Sequence, residues 1–212
     1  MKVDLIDHMG SDLTVVNSAR VSFNKNHSYL DSTDERLIEY LAAHNHWSPF
    51  AHCQAQFRFK APIFVARQLV KHQVGMVWNE VSRRYVDTPV ELYWPEKWRK
   101  RAANVKQGSS KEEWTSPIIE KRIKDCLSNA QYLYELMLDS QVCPEQARMI
   151  LPQNVYTEWY WTGSLVAWAR VYNQRTHSTA QQETRQVVEQ IDEHLQTLFP
   201  LSWAALTDRS KL

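Results

Sequence analysis

Glycine is scarce in this chain. Its 212 residues include only Gly10, Gly75, Gly108 and Gly163. They are too scattered to form a G-x-G-x-x-G or Walker loop, and neither pattern occurs. A bound phosphate must therefore be held by Arg, Lys and Ser side chains or by helix N-termini. Cysteine is also sparse: Cys53, Cys126 and Cys143 are an odd number without a C-x-x-C spacing. That excludes a disulfide framework and a zinc-ribbon site, and predicts three reduced, mostly buried thiols. No apolar run approaches the ~18 residues of a membrane span. The start, Met1-Lys2-Val3-Asp4, lacks a signal-peptide pattern, which makes a cytoplasmic location the expectation. Charge nearly cancels, 25 Lys and Arg against 24 Asp and Glu, which argues against bulk electrostatic binding of nucleic acid.

With 43% apolar and 23% charged residues, the composition is that of a globular protein. No repeat, low-complexity tract or linker divides the chain, so one domain over 1–212 is expected. Residues 2–7 read as a first strand. Ser32-Thr33-Asp34-Glu35 offers a helix start, with Leu37, Ile38, Tyr40 and Leu41 at helical spacing and a stop near His44-Asn45. Residues 52–60 alternate, Cys53, Ala55, Phe57 and Phe59 against Gln54, Gln56, Arg58 and Lys60, the mark of a half-buried strand. Pro62 suits the first turn of a helix running to Val70. The basic stretch 96–112 reads as a surface excursion. A long helix is predicted over 113–138, its apolar face including Ile118, Ile119, Ile123, Cys126, Leu127, Tyr132, Leu133, Leu136 and Met137. Pro144-Glu145 opens a short helix, 155–161 is strand-like, and 165–172 and 180–198 are helical. Helices with a few non-consecutive strands predict an α+β fold, with a mixed or antiparallel central sheet flanked by helices.

The densest polar stretch is 67–85. Arg67, Lys71 and His72 crowd the end of one helix, where cations also simply complement the helix dipole. If Glu80, Ser82 and Arg84 lie on a strand they share a face, as would any solvated polar row. Arg148 stands beside Met149-Ile150-Leu151, and Arg175 at the end of an apolar helix. Planar guanidinium forks from separate segments suit a phosphate that no glycine loop can hold. His44 and His46 form an H-x-H pair without a third ligand at a recognisable spacing, so no metal site is expected. Ser82 has no neighbouring base in sequence, so a hydrogen-bonding role suits it better than that of a nucleophile.

His72-Gln73, eight residues, then Ser82-Arg83-Arg84-Tyr85 resembles the signature of the flavin-dependent thymidylate synthases, Arg-His-Arg followed by Ser within an Asn-Glu-x-Ser-x-Arg-Tyr block. Ala19–Phe23, Leu37–Leu41, Ser48–Phe50, Ala61–Gln68, Ala147–Pro152, Tyr156–Glu158 and Arg175 followed by Ala180-Gln181 and Glu183 resemble further blocks in family order. The resemblance implies reductive methylation of dUMP at C5 to dTMP, a methyltransferase reaction. Its carbon comes from 5,10-methylenetetrahydrofolate and its hydride from FAD reduced by NADPH, in a homotetramer with shared active sites. By matching position, it assigns Gln68, Glu80, Ser82, Arg83, Arg84, Arg148 and Arg175 to the nucleotide. Arg175 would bind uracil and stabilise charge on it, with Ser82 beside it in the catalytic set. The cofactor set is Ser22, His46, Ser48, Lys71, His72, Gln73, Val74, Glu80, Ser164 and Arg170.

Two signature arginines are replaced, by Lys71 and Gln73. Ala51 stands where the family often has Glu, and Ser164 and Arg170 where Asn is common. All five fall on the flavin side. These departures motivate a second expectation, a pyrimidine nucleotide hydroxymethylase on the same scaffold. A nucleotide-binding protein without catalysis is a third. A Cys-dependent synthase is the weakest, because the Cys-Pro neighbours here run as Cys143-Pro144, the reverse of that family's order.

Overall fold

The computed structural model describes residues 1–103 and 108–207. In chain order the elements are β1 (Lys2–Met9), α1 (Asp12–Arg20), α2 (Ser32–Ala43), α3 (Ser48–Ala51), β2 (Gln54–Pro62), α4 (Ile63–Leu69) and β3 (Met76–Glu80). There follow β4 (Trp98–Arg101), β5 (Ser109–Trp114), α5 (Pro117–Asp139), α6 (Pro144–Ala147), β6 (Tyr156–Ser164), α7 (Leu165–Arg175), α8 (Gln182–Leu198) and α9 (Pro200–Leu206). The fold is α+β. Its main sheet has four strands in the order β1-β2-β6-β3, antiparallel throughout, and β4 and β5 form a separate hairpin.

The core lies on one face of the β2–β6 pair. Alternation sends Ala55, Phe57, Phe59 and Ala61 to that face from β2, and Thr157, Trp159, Trp161 and Gly163 from β6. The register sets Phe57 opposite Trp161 and Phe59 opposite Trp159, while Ala55 faces Gly163 and Ala61 faces Thr157. Large side chains thus meet in the middle and small ones at the ends. Phe59 stacks on Trp159 with centroids 5.1 Å apart, and Trp78 of β3 stacks on the same indole at 4.4 Å. Trp168 of α7 closes the cluster edge-on against Phe57, its Nε1 donating to the Ala55 carbonyl at 3.0 Å. At Gly163 a Cβ would lie 2.1 Å from Met76 Sδ, so the Met76 side chain occupies the space that glycine leaves open. Val187, Val188, Ile191 and Leu195 of α8 bury against this core. α9 is tied down by Asp12, whose carboxylate accepts from the Leu201 and Ser202 amides at 2.9 Å each.

Several expectations change. β3 ends at Glu80, and Ser82–Tyr85 curl into a turn in which the Tyr85 and Val86 amides both donate to the Ser82 carbonyl. Glu80, Ser82 and Arg84 therefore do not share a strand face. The stretch 96–112 holds β4 and the start of β5 rather than a plain excursion, its pairing set by Trp98 opposite Trp114. The long helix starts at Pro117, because 113–114 belong to β5 and Ser116-Pro117 is the first helix start available. Its apolar face is mostly uncovered: Tyr134 alone is buried, while Ile118, Ile119, Tyr132, Leu133 and Leu136 are exposed. Pro62 ends β2 rather than entering the helix. Of the cysteines Cys53 is buried, but Cys126 and Cys143 are exposed. Neither α1 nor α9 was signalled by the sequence pattern. No helix among the described residues is long and apolar enough to cross a membrane.

Phe59 touches Phe57, Trp159, Trp161 and Trp168. Its truncation leaves a void that these rigid rings fill poorly. Phe59→Ala is expected to lower the unfolding free energy by about 3–5 kcal/mol in a urea titration. A loss under ~1 kcal/mol would show that the aromatic stack is not the core's centre.

Candidate active site

β2 runs straight into α4 and β6 straight into α7, with no loop at either junction. The sheet register therefore sets where these helices end, and their C-terminal ends meet. Arg175, the last residue of α7, donates from Nε to His72 Nε2 at 2.8 Å and from NH2 to the Gln68 carbonyl at 3.3 Å. Both acceptors are neutral. Among the described residues no carboxylate pairs with Arg175. The guanidinium is half-buried, and burial lowers its pKa from the ordinary value. Burial, with the adjacent Arg175 charge, pushes the His72 imidazole down to about 4. A neutral ring whose Nε2 accepts must carry its proton on Nδ1. Gln68 and Arg175 line a cavity of about 510 Å³ with Gln174, Thr179 and Gln181, and with Arg99 and Ser109 of the hairpin.

A second cavity, of about 490 Å³, takes Glu80, Arg83 and Arg148, with Tyr156 and Thr157 from β6. Glu80 is fixed by two donors: Thr157 Oγ1 reaches one oxygen at 2.8 Å, and Trp78 Nε1 the other at 3.2 Å. Arg83 donates to the Thr88 carbonyl and Arg148 to the Glu145 carbonyl. Arg84 lies exposed over the Tyr85 ring at 5.0 Å, and its amide donates to Ser82 Oγ at 3.3 Å. Within one copy of the chain, then, Gln68 gathers with Arg175, and Glu80 with Arg83 and Arg148. Ser82 and Arg84 line neither cavity.

The cofactor candidates lie along a different stretch. Gly75, with φ +76°, packs against Ser164 Oγ and Ala167 of α7, each 3.2 Å from where a Cβ would be. α7 thus meets the 72–75 segment twice, at Gly75 near its start and at His72 by its end. Arg170 is exposed on this helix, between the two contacts. Lys71, Gln73 and Val74 are exposed at the end of α4, as are Ser22, His46 and Ser48 on the N-terminal segments. Ser164 is buried as the cap of α7, its hydroxyl accepting from the Ala167 amide. Neither Lys71 nor Arg170 has an ion-pair partner among the described residues. Exposed cations and hydroxyls are the donor types that suit a diphosphate. His44 Nδ1 donates to the Tyr40 carbonyl at 2.9 Å within its own helix turn, and His44 joins no metal-binding cluster among the described residues.

Sequence reasoning missed Arg99, Thr157 and Glu183 as site-supporting residues. Thr157 and Glu183 had been seen only as parts of blocks. Arg99 lay in a stretch read as solvated surface, and its partner Glu183 is 84 positions away, a separation that no local pattern reports.

The family model described as thymidylate synthase complementing protein matches residues 4–201. The flavin-dependent thymidylate synthase of Thermus thermophilus is 38% identical over 210 residues, covering 97% of this chain and 75% of that protein. That of Thermotoga neapolitana is 39% identical over 184 residues, covering 87% and 80%. Among solved structures, the UMP/dUMP methylase PolB from Streptomyces cacaoi, bound with 5-Br dUMP, superposes with a TM-score of 0.84 at 30% identity. The match covers 96% of this chain and 93% of that one.

His72 is neutral in the fold, whereas in the unfolded chain it takes up a proton near the ordinary value of 6.5. Below that pH the unfolded state binds more protons, so stability falls as pH drops from about 6.5 to about 4, and levels off below. His72→Gln is expected to flatten that part of the stability–pH curve, read by urea unfolding at several pH values. An unchanged slope would mean that His72 is not the group being titrated.

Proposed function

The chain belongs to the family of flavin-dependent thymidylate synthases, and we propose that it methylates dUMP at C5 to give dTMP. Methylenetetrahydrofolate is the proposed carbon donor and NADPH the proposed reductant. The observation that carries the reading is Arg175: a half-buried guanidinium that faces a cavity and, among the described residues, is held by neutral acceptors without a counter-ion. Such a group stabilises negative charge developing on a uracil ring as C5 becomes nucleophilic. Neutral His72 lets it stay there without like-charge repulsion. Arg83, Arg84 and Arg148 serve the nucleotide's phosphate and Ser82 its hydrogen bonding. Glu80, its orientation fixed by Thr157 and Trp78, keeps lone pairs for a nucleotide donor.

FAD, when bound, supplies the hydride. Ser22, His46, Ser48, Lys71, His72, Gln73, Val74, Glu80, Ser164 and Arg170 are the residues that would hold it. No protein nucleophile is required, in keeping with two exposed cysteines outside both cavities and a buried Cys53 whose thiol is pushed up to about 12 by burial.

We take the working assembly to be a homotetramer whose sites are completed between copies. Two features support this. The nucleotide residues of one copy are divided between separate cavities and an exposed turn. Apolar side chains next to them are also uncovered, including Val74, Val77 and Met149, as is the α5 face.

Three measurements test the reading. Arg175→Ala should lower kcat/KM for dTMP formation by about 10²–10³-fold, the loss typical of one charge-stabilising donor. Undiminished turnover would remove Arg175 from the chemistry. The product's mass also separates a methyl from a hydroxymethyl nucleotide, the alternative that the changed residues Ala51, Lys71, Gln73, Ser164 and Arg170 keep open. Arg170→Ala should weaken FAD retention while dUMP binding survives, because Arg170 restores a cation that Gln73 lacks. Equal FAD affinity in variant and parent would show that Arg170 does not compensate.

A further inference from the structure

A chain of hydrogen bonds whose donors all point toward one buried carboxylate, Glu183, links the β4–β5 hairpin to the nucleotide side of the site. Arg99 of β4 donates through NH2 to both oxygens of Glu183, at 2.8 and 3.0 Å, and through Nε to Ser109 Oγ at 2.7 Å. Glu183 is only 5% exposed. Gln181 Nε2 donates to the same carboxylate at 3.0 Å. Gln181 Oε1 in turn accepts from Gln68 Nε2, and Gln68 Oε1 accepts from Thr184 Oγ1 at 3.2 Å.

Each link fixes the next. An arginine only donates and a carboxylate only accepts, so the first contact has one possible polarity. The carboxylate then forces Gln181 to present its NH2 to Glu183 and its oxygen to Gln68. That oxygen forces Gln68 to turn its NH2 the same way, and Thr184 completes the pattern at the amide's oxygen. One Gln68 N–H is used by Gln181, leaving the second, which carries no bond in this network. Gln68 lines the cavity beside Arg175. Without the buried charge at one end, either carboxamide flips at little cost, and Gln68 then offers an oxygen where a donor stood.

We infer that Arg99, Glu183 and Gln181 are positioning residues that lock the Gln68 carboxamide with its free N–H toward an oxygen of the bound nucleotide. This rests on the dUMP reading above. The acceptor is a phosphate or carbonyl oxygen; both have the chemistry that a fixed donor recognises. The buried ion pair thus specifies an orientation in addition to clamping the hairpin over the cavity.

The test is dUMP binding to the flavin-loaded enzyme. Glu183→Gln replaces a pure acceptor by a group that can donate or accept, at nearly the same size. It should raise the dUMP Kd about tenfold while flavin content is unchanged. Arg99→Gln, on a hairpin outside the main sheet, should do the same and provides the reading if Glu183→Gln fails to fold. Arg99→Lys keeps a donor-only cation and should stay within about threefold of the parent. In a Gln68→Ala background, Glu183→Gln should add no further loss, since its effect passes through Gln68. A dUMP Kd within twofold of the parent in both Glu183→Gln and Arg99→Gln overturns the inference, as do losses that simply add in the Gln68→Ala background. A parent enzyme that binds flavin but not dUMP at all overturns instead the functional reading beneath it.

Discussion

The β2–β6 ladder is the constraint on which everything else hangs. Its register puts two aromatic pairs opposite one another in the middle and small residues at both ends. Because α4 and α7 leave these strands without a loop, the register also fixes where each helix ends. A slip of one residue along β6 would turn Trp159 and Trp161 to the other face. It would also carry Arg175 away from His72 and the Gln68 carbonyl. The packing of the core and the geometry of the charge-stabilising arginine are thus one specification. The glycine opposite Met76 belongs to it too, since a side chain at Gly163 would displace the Met76 thioether that packs over it.

What the sequence makes legible follows from the range of each signal. Alternation in 52–60 is visible because a half-buried strand repeats every two residues, and its inward set is the buried set. The aromatic run Trp159-Tyr160-Trp161 is legible for the same reason. The hairpin is not. Its strands, Trp98–Arg101 and Ser109–Trp114, are mostly charged, and the Trp pair at their outer ends gives no alternating apolar pattern to read. The long helix shows the opposite failure. Its apolar face is evident in the pattern, but pattern alone does not say what covers it, and within one copy little does. At the site, the residue pattern brought out Glu80, Arg148 and Arg175, and the family resemblance added Gln68. Neither revealed their grouping, which depends on bonds between residues about 80 to 115 positions apart.

The two sides proposed for the site, nucleotide and flavin, are built by different physical means. On the nucleotide side, Arg175, Gln68 and Glu80 have their orientation set by other side chains or by the main chain, and Arg175 is partly desolvated. Lowered solvation strengthens each electrostatic contact, and the held orientation reduces the entropy lost when a ligand arrives. On the flavin side, Lys71, Gln73, Arg170, Ser22 and Ser48 stand in solvent. Cations there are screened and free to rotate, so each contributes less and its position matters less.

That contrast accounts for where this chain departs from its family's pattern. An exchange of Arg for Lys or Gln at an exposed, rotating position leaves neighbours that can rearrange, and an exposed arginine on an adjacent helix can take over the missing charge. The same exchange at Arg175 could not be absorbed. Lys lacks the second N–H arm that spans His72 and the Gln68 carbonyl, and Gln would leave a half-buried cavity without its cation. The departures at Lys71, Gln73 and Arg170 fall at exposed positions, as this argument requires. Ala51 and Ser164 are the exceptions: Ala51 is half-buried against the core, and Ser164 is buried, but its hydroxyl caps α7, a structural task that Asn performs equally well.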